Sequence, residues 1–117
     1  MVVELMRPRP PVETVEKSWG REIWIVNNDR YCGKFLYFRA NSIGSLHFHA
    51  EKHETFYVRD GHVQIEVADC VYDLRPGEAI ELPAGTPHRV KALIDSEIIE
   101  FSTPHVDSDT YRIINSP

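Results

Sequence analysis

Cysteine is scarce in this chain. Its 117 residues hold two, Cys32 and Cys70, which is too few for a disulfide framework and too widely spaced for a C-x-x-C redox pair. Both are read as reduced thiols, and the protein as cytoplasmic. No apolar run approaches the roughly 20 residues that would cross a bilayer. The start, MVVELMRPRPPVETVE, holds no apolar stretch of the kind a signal peptide carries. Positive charge is also short: nine Arg and four Lys are scattered among 18 acidic residues, for a net charge of -5. With no basic patch, a nucleic-acid partner would be repelled. Helical periodicity is missing as well.

What is present is a series of short strands. Extended, apolar or alternating segments stand at Glu22–Val26, Tyr31–Arg39, Ser45–His49, Glu54–Arg59 and His62–Val67. Val71–Leu74, Ala79–Leu82, His88–Leu93 and Glu97–Ser102 continue the series, and Asp107–Ile114 reads as a short helix or a last strand. Asp60-Gly61 is a hairpin signal, and Arg75-Pro76-Gly77 and Pro83-Ala84-Gly85 are turns. The spacing predicts an all-β barrel or double-sheet jelly roll. One domain over residues 17–117 is expected, preceded by a Pro-rich extended arm over 1–16. Such an arm suits pairing with an edge strand of a second copy, so a homodimer is expected; a mobile tail is the alternative.

The chemistry lies in His47, His49, Glu54 and Gly61, followed by Gly77, Pro83, Gly85 and His88. Residues two apart on a strand share a face, so His47 and His49 project together with Ser45. Glu54 opens the next strand and is expected beside them, whereas His88 begins a later strand and is expected from across the barrel. A lone histidine on a strand is usually core or surface. Three imidazoles with a carboxylate instead suit one divalent transition metal (Mn, Fe, Co, Ni or Zn). His53, His62 and His105 lack such pairing and are read as solvated or supporting.

These residues resemble the two motifs of the cupin superfamily, G-x5-H-x-H-x3,4-E-x6-G and G-x5-P-x-G-x2-H-x3-N. The chain departs at Asn41, where the family has Gly, and at Ala92, where it has Asn. Asn tolerates a left-handed backbone, so the turn at Asn41 is expected to survive. The resemblance implies a cupin-type double-stranded β-helix with His47, His49, Glu54 and His88 as the metal ligands. The flanks, Lys17-Ser18-Trp19-Gly20-Arg21-Glu22 and Ile99–His105 with Asp107, Asp109 and Arg112, are similar to the cupin domain of type II mannose-6-phosphate isomerases. Those domains often have Gln where this chain has His47.

That likeness implies a small carbohydrate substrate and isomerase- or epimerase-like chemistry on a sugar or sugar phosphate. Glu100 is then the candidate base and Arg112 the candidate phosphate contact, with Lys34 and Arg39 behind it. A non-haem Fe(II) dioxygenase, with Phe35, Tyr37, Phe56 and Tyr57 as candidate pocket walls, is one alternative. A non-catalytic, metal-bearing sugar-binding module is another.

Overall fold

The computed structural model describes residues 7–117. Strands β1 (Glu13–Lys17), β2 (Gly20–Asn27), β3 (Cys32–Phe38), β4 (Leu46–His49), β5 (Glu54–Asp60) and β6 (Val63–Val67) come first. Then follow β7 (Cys70–Leu74), β8 (Ala79–Leu82), β9 (His88–Ala92), β10 (Ser96–Ser102) and β11 (Thr110–Ile114). A 3-10 turn at Asp107–Asp109 leads into β11, so Asp107–Ile114 is a turn and then a strand. Two antiparallel sheets, ordered β1-β2-β3-β10-β5-β8 and β11-β4-β9-β6-β7, enclose the core. This is the expected all-β jelly-roll fold. Among the described residues, no helix is long and apolar enough to cross a membrane.

The strands follow from period-two alternation. In β3, Cys32, Lys34, Leu36 and Phe38 are buried while Gly33, Phe35 and Tyr37 between them are half-buried on the outer face. β5 repeats this with Glu54, Phe56 and Val58 inside. Leu36, Val58 and Ile98 form one inward row across β3, β10 and β5, because Ile98 pairs with both of the others. Val63 pairs with Ala92 and Ile65 with Val90 on the other sheet. These side chains, with Leu74 and with Trp19 stacked on Phe38 at 3.9 Å between ring centroids, are the core.

Three expectations are corrected. Asp60-Gly61 is not a hairpin, since β5 pairs with β10 and β8 while β6 pairs with β7 and β9. It carries the chain from one sheet to the other. Gly61 is needed there for its φ of 95° and because a Cβ would lie 2.6 Å from the Asp95 carbonyl oxygen. Secondly, Glu13–Glu16, read as arm, belong to β1, which pairs along its length with β2 of the same chain. Alternation half-buries Val15 and Lys17 there, and this outweighs the prolines upstream. Residues 1–6 of the expected arm lie outside the described residues. Thirdly, Phe35, Tyr37 and Tyr57 occupy the outward phase of their strands and are not pocket walls; only Phe56 faces inward.

Asn41 adopts φ 64° and its amide donates to the Ala92 carbonyl at 2.9 Å, so the turn survives without glycine. Ala92 is fully buried in the core, where an Asn side chain would need a partner. Cys32 is buried, Cys70 is exposed, and both are free thiols.

Candidate metal centre

His47 and His49 leave the same face of β4 and line the space between the sheets. His88, the first residue of β9, stands directly opposite His47 on the neighbouring strand. The turn that delivers it is docked on the site: Gly85, at φ 82°, donates its amide to the His49 carbonyl. Glu54 comes from the facing sheet as the first residue of β5. The expected geometry is therefore inverted, with His88 the neighbour and Glu54 the residue from across. Chain order misled, because the chain crosses from one sheet to the other between β4 and β5.

One ring nitrogen from each of His47, His49 and His88 lies within 4.8 Å of the others. Their Nδ1 atoms sit 3.2, 3.2 and 2.9 Å from the carbonyl oxygens of Ser45, Asp109 and Thr86, respectively. A carbonyl only accepts, so a hydrogen on each Nδ1 serves all three contacts and leaves each Nε2 with a lone pair for a metal; Ser45 Oγ, 2.8 Å from His47 Nδ1, then accepts from that ring as well. Glu54 Oε2 lies 3.3 Å from His49 Nε2 and 3.2 Å from His88 Nε2. His88 Nε2 is buried and makes no hydrogen bond among the described residues. Lone pairs facing a carboxylate at this distance repel one another unless a cation or a proton lies between them. Three imidazole nitrogens and one carboxylate fit a first-row divalent ion. Burial, then the neighbouring His88 and His49, push the His47 imidazole down to about 3, which keeps it in the neutral form that a metal needs. Burial opposes ionisation of Glu54, but a proton shared with the His49 and His88 rings in the metal-free site, together with the Lys52 ammonium, holds its carboxyl well below the usual range.

Asp109 braces this centre; the sequence marked it only as part of the C-terminal flank resemblance, with no role. Its carbonyl takes the His49 Nδ1 hydrogen, and its carboxylate accepts from the amides of Ala50, Glu51 and Lys52 at 2.9, 3.1 and 3.0 Å. The bend between β4 and β5, which fixes Lys52 and Glu54, is thus tied to the turn before β11.

The donors open into a cavity of about 400 Å³ between the sheets. Its far wall is one register row of the six-stranded sheet, Trp24–Lys34–Glu100–Phe56. Glu100 is buried, and its Oε2 accepts from Lys52 Nζ at 2.9 Å and Ser102 Oγ at 3.1 Å. Burial works against the Lys52 ammonium, yet Glu100 and then Glu54 raise its pKa. His105 Nδ1 lies 3.1 Å from Lys52 Nζ, and its Nε2 lies 2.9 Å from Asp107 Oδ1. Lys34 is buried over the Trp24 ring, with Glu22 beside it.

Of the other sequence candidates, Arg112 is exposed at the cavity edge, in the same row as His47. Arg39 lies outside the cavity and bonds to the Ser18 carbonyl. His53 and His62 pair with Glu81 and Asp73 away from the site. His105 supports Lys52, consistent with a supporting role. Lys52 and Trp24 were missed. Lys34 had a signal: it occupies the inward phase of a strand whose other inward residues, Cys32, Leu36 and Phe38, are apolar. Lys52 had none, because it lies in a bend.

Residues 35–101 match the family model described as "Cupin domain". A mannose-1-phosphate guanylyltransferase of Sinorhizobium fredii is 28% identical over 92 residues, covering 77% of this chain and 18% of that protein. The chain thus spans under a fifth of that curated relative's length. Among solved structures, KdgF from Halomonas sp. superposes with a TM-score of 0.75 at 22% identity, covering 82% of this chain and 91% of that one. Oxalate decarboxylase from Bacillus subtilis gives a TM-score of 0.79 at 17% identity, covering 86% of this chain and 30% of its own. The decarboxylase is described as having Mn(II) centres.

Proposed function

The chain belongs to the cupin family, and on that premise we propose a metal-dependent protein that moves a proton on a sugar or sugar phosphate, as an isomerase or epimerase does. The observation that carries this reading is the buried Lys52–Glu100 pair, 2.9 Å apart, in the same cavity as the metal donors. Sugar chemistry is supported by the guanylyltransferase relative, whose name specifies a sugar phosphate. The charged lining also suits a polar ligand better than an apolar one.

His47, His49, Glu54 and His88 would hold the ion, which supplies Lewis acidity at a substrate oxygen. The remaining roles belong to the chain. Glu100 is the base. Both of its hydrogen bonds fall on Oε2, and no described residue donates to Oε1, which is left to accept a proton from the ligand. Lys52 holds that carboxylate in place and offers charge to an oxygen on which negative charge develops. Arg112, at the edge, is positioned to meet a phosphate.

The test is proton–deuterium exchange at sugar carbons in D2O, followed by NMR, with Mn-, Fe- or Zn-loaded protein. Glu100→Gln is expected to abolish exchange while leaving the metal content at the wild-type level. Equal exchange by both proteins removes Glu100 as the base. Dioxygen consumption with Fe(II) and a candidate substrate moves the assignment to a dioxygenase. Ligand-dependent thermal stabilisation without turnover moves it to a binding module.

The outer face of the six-stranded sheet supports the homodimer. Ile23, Phe35, Ile99 and Tyr57 form one register row there, with Phe101 exposed beside it and Arg21, Arg59 and Glu97 on its other side. Six strands at roughly 4.8 Å, each showing about five residues, give a face of order 500 Å² per copy. Two such faces approach the roughly 1,000 Å² that a stable interface requires. Light scattering on the wild type and on Phe35→Glu checks it, the variant being expected as monomer; a monomeric wild type removes the dimer.

A further inference from the structure

Lys34 is a buried cation with too few partners. Its residue is 2% exposed, yet its ammonium, which has three hydrogens, makes one hydrogen bond among the described residues, to Glu22 Oε1 at 3.5 Å. The Trp24 ring lies 4.2 Å from the nitrogen. That Glu22 oxygen is also shared, since Trp24 Nε1 donates to it at 2.8 Å. Lys52, equally buried, differs: it reaches Glu100 at 2.9 Å, His105 at 3.1 Å and Glu54 at 3.5 Å. A buried ammonium with one long bond is costly unless something else completes its shell.

Lys34 lines the cavity from the six-stranded sheet, beside Glu100 in register, facing the sheet that carries the three histidines. The charge balance points the same way. The buried ammoniums of Lys34 and Lys52 stand against the carboxylates of Glu22, Glu54 and Glu100, leaving one negative charge. A divalent ion on neutral imidazoles turns that into one positive charge, which a singly charged anion would neutralise.

We propose that Lys34 is the anion-recognition residue of this cavity, and that the ligand is a sugar bearing an acidic group, a carboxylate or a phosphate, which completes the Lys34 shell while the rest of the ligand faces the metal donors. This rests on the assignment of the cavity as the substrate site, but not on any chemistry performed there. Recognition by a desolvated ammonium is specific, because removing the ligand's charge leaves the cation buried and unpaired. Trp24 restricts the ammonium from one side, so the free hydrogens are left for the ligand.

The test is calorimetric titration of the Mn(II)-loaded full chain with glucuronate, glucose 6-phosphate and glucose. At least one acid is expected to bind about 10- to 100-fold more tightly than glucose. The preferred acid identifies the group as carboxylate or phosphate. Lys34→Met should lose that preference with its manganese content and melting temperature retained, while Lys34→Arg keeps most of it. Equal affinity of the wild type for all three sugars overturns the proposal, independently of how any variant folds. So does Lys34→Met binding the acids as tightly as the wild type, since Lys34 would then serve the fold alone. The proton-exchange experiment fails separately. Acid-selective binding without exchange keeps the Lys34 site and removes the isomerase reading; exchange on neutral sugars that is indifferent to Lys34→Met does the reverse.

Discussion

The two ends of this barrel are built by the same strands and do opposite work. At one end, β3, β5, β9 and β10 present Leu36, Val58, Val90 and Ile98 inward. Two residues along the same strands they present Lys34, Phe56, His88 and Glu100. Both sheets make the change at the same level, since Ile65–Val90 gives way to Val67–His88 on the five-stranded sheet. The backbone pattern continues unaltered through that boundary, and only the inward side chains change. The apolar end supplies burial that offsets the cost of collecting charges at the other. A strand pattern can therefore hold a buried, charged site, provided the next row along is close-packed.

Variants at each end should separate the two roles. The largest effect is expected from Ile98→Ala, which empties a fully buried position of the apolar end. Loss of about 2–5 kcal/mol in urea denaturation is expected, with the metal affinity of the folded fraction unchanged. A matching fall in metal affinity would mean that the two ends are not separable. Asp109→Ala should act in the opposite sense. By releasing the amides of residues 50–52, and with them the bend that carries Glu54 and packs on the turn whose Asp109 carbonyl meets the His49 ring, it is expected to weaken metal binding about 10- to 100-fold, measured by competition with a chelator. Because Asp109 itself is only partly buried, the loss of stability should be the smaller change.

The remaining effect is the pH response of the metal-free polar end. The folded pKa of His47 is pushed from 6.5 to about 3. Between those values the unfolded chain binds the extra proton, so stability is full above 6.5 and falls as the pH drops toward 3. Glu54, held well below the ordinary 4.5 of its carboxyl, adds to the fall at the acid end of that range. Melting temperatures of the metal-free protein should follow this course, and His47→Gln should flatten the upper part. An equally steep decline in that variant would place the acid sensitivity elsewhere.

Much of this protein was legible in the sequence because it is local. Alternation within a strand depends on adjacent residues, so the positions of β2 to β10 and the shared face of His47 and His49 could be read directly, whereas the inward phase of Glu100 was settled only by the structure. The cupin motif spacing likewise reached the centre and the fold. Asn41 kept its left-handed turn for a reason internal to one residue. Which strands pair is not local, and there the sequence misled. Asp60-Gly61 has the composition of a hairpin and crosses between sheets instead, because the partners of β5 and β6 lie elsewhere in the chain. The same non-local pairing seats His88 beside His47 and brings Glu54 from across. It also gathers Lys52, His105, Lys34 and Trp24 on one wall, from a bend, a loop and two strands. The sequence by itself determined which residues can bind a metal. Tertiary structure decided what surrounds that metal, because the contacts that tune a buried charge are made by residues far apart along the chain.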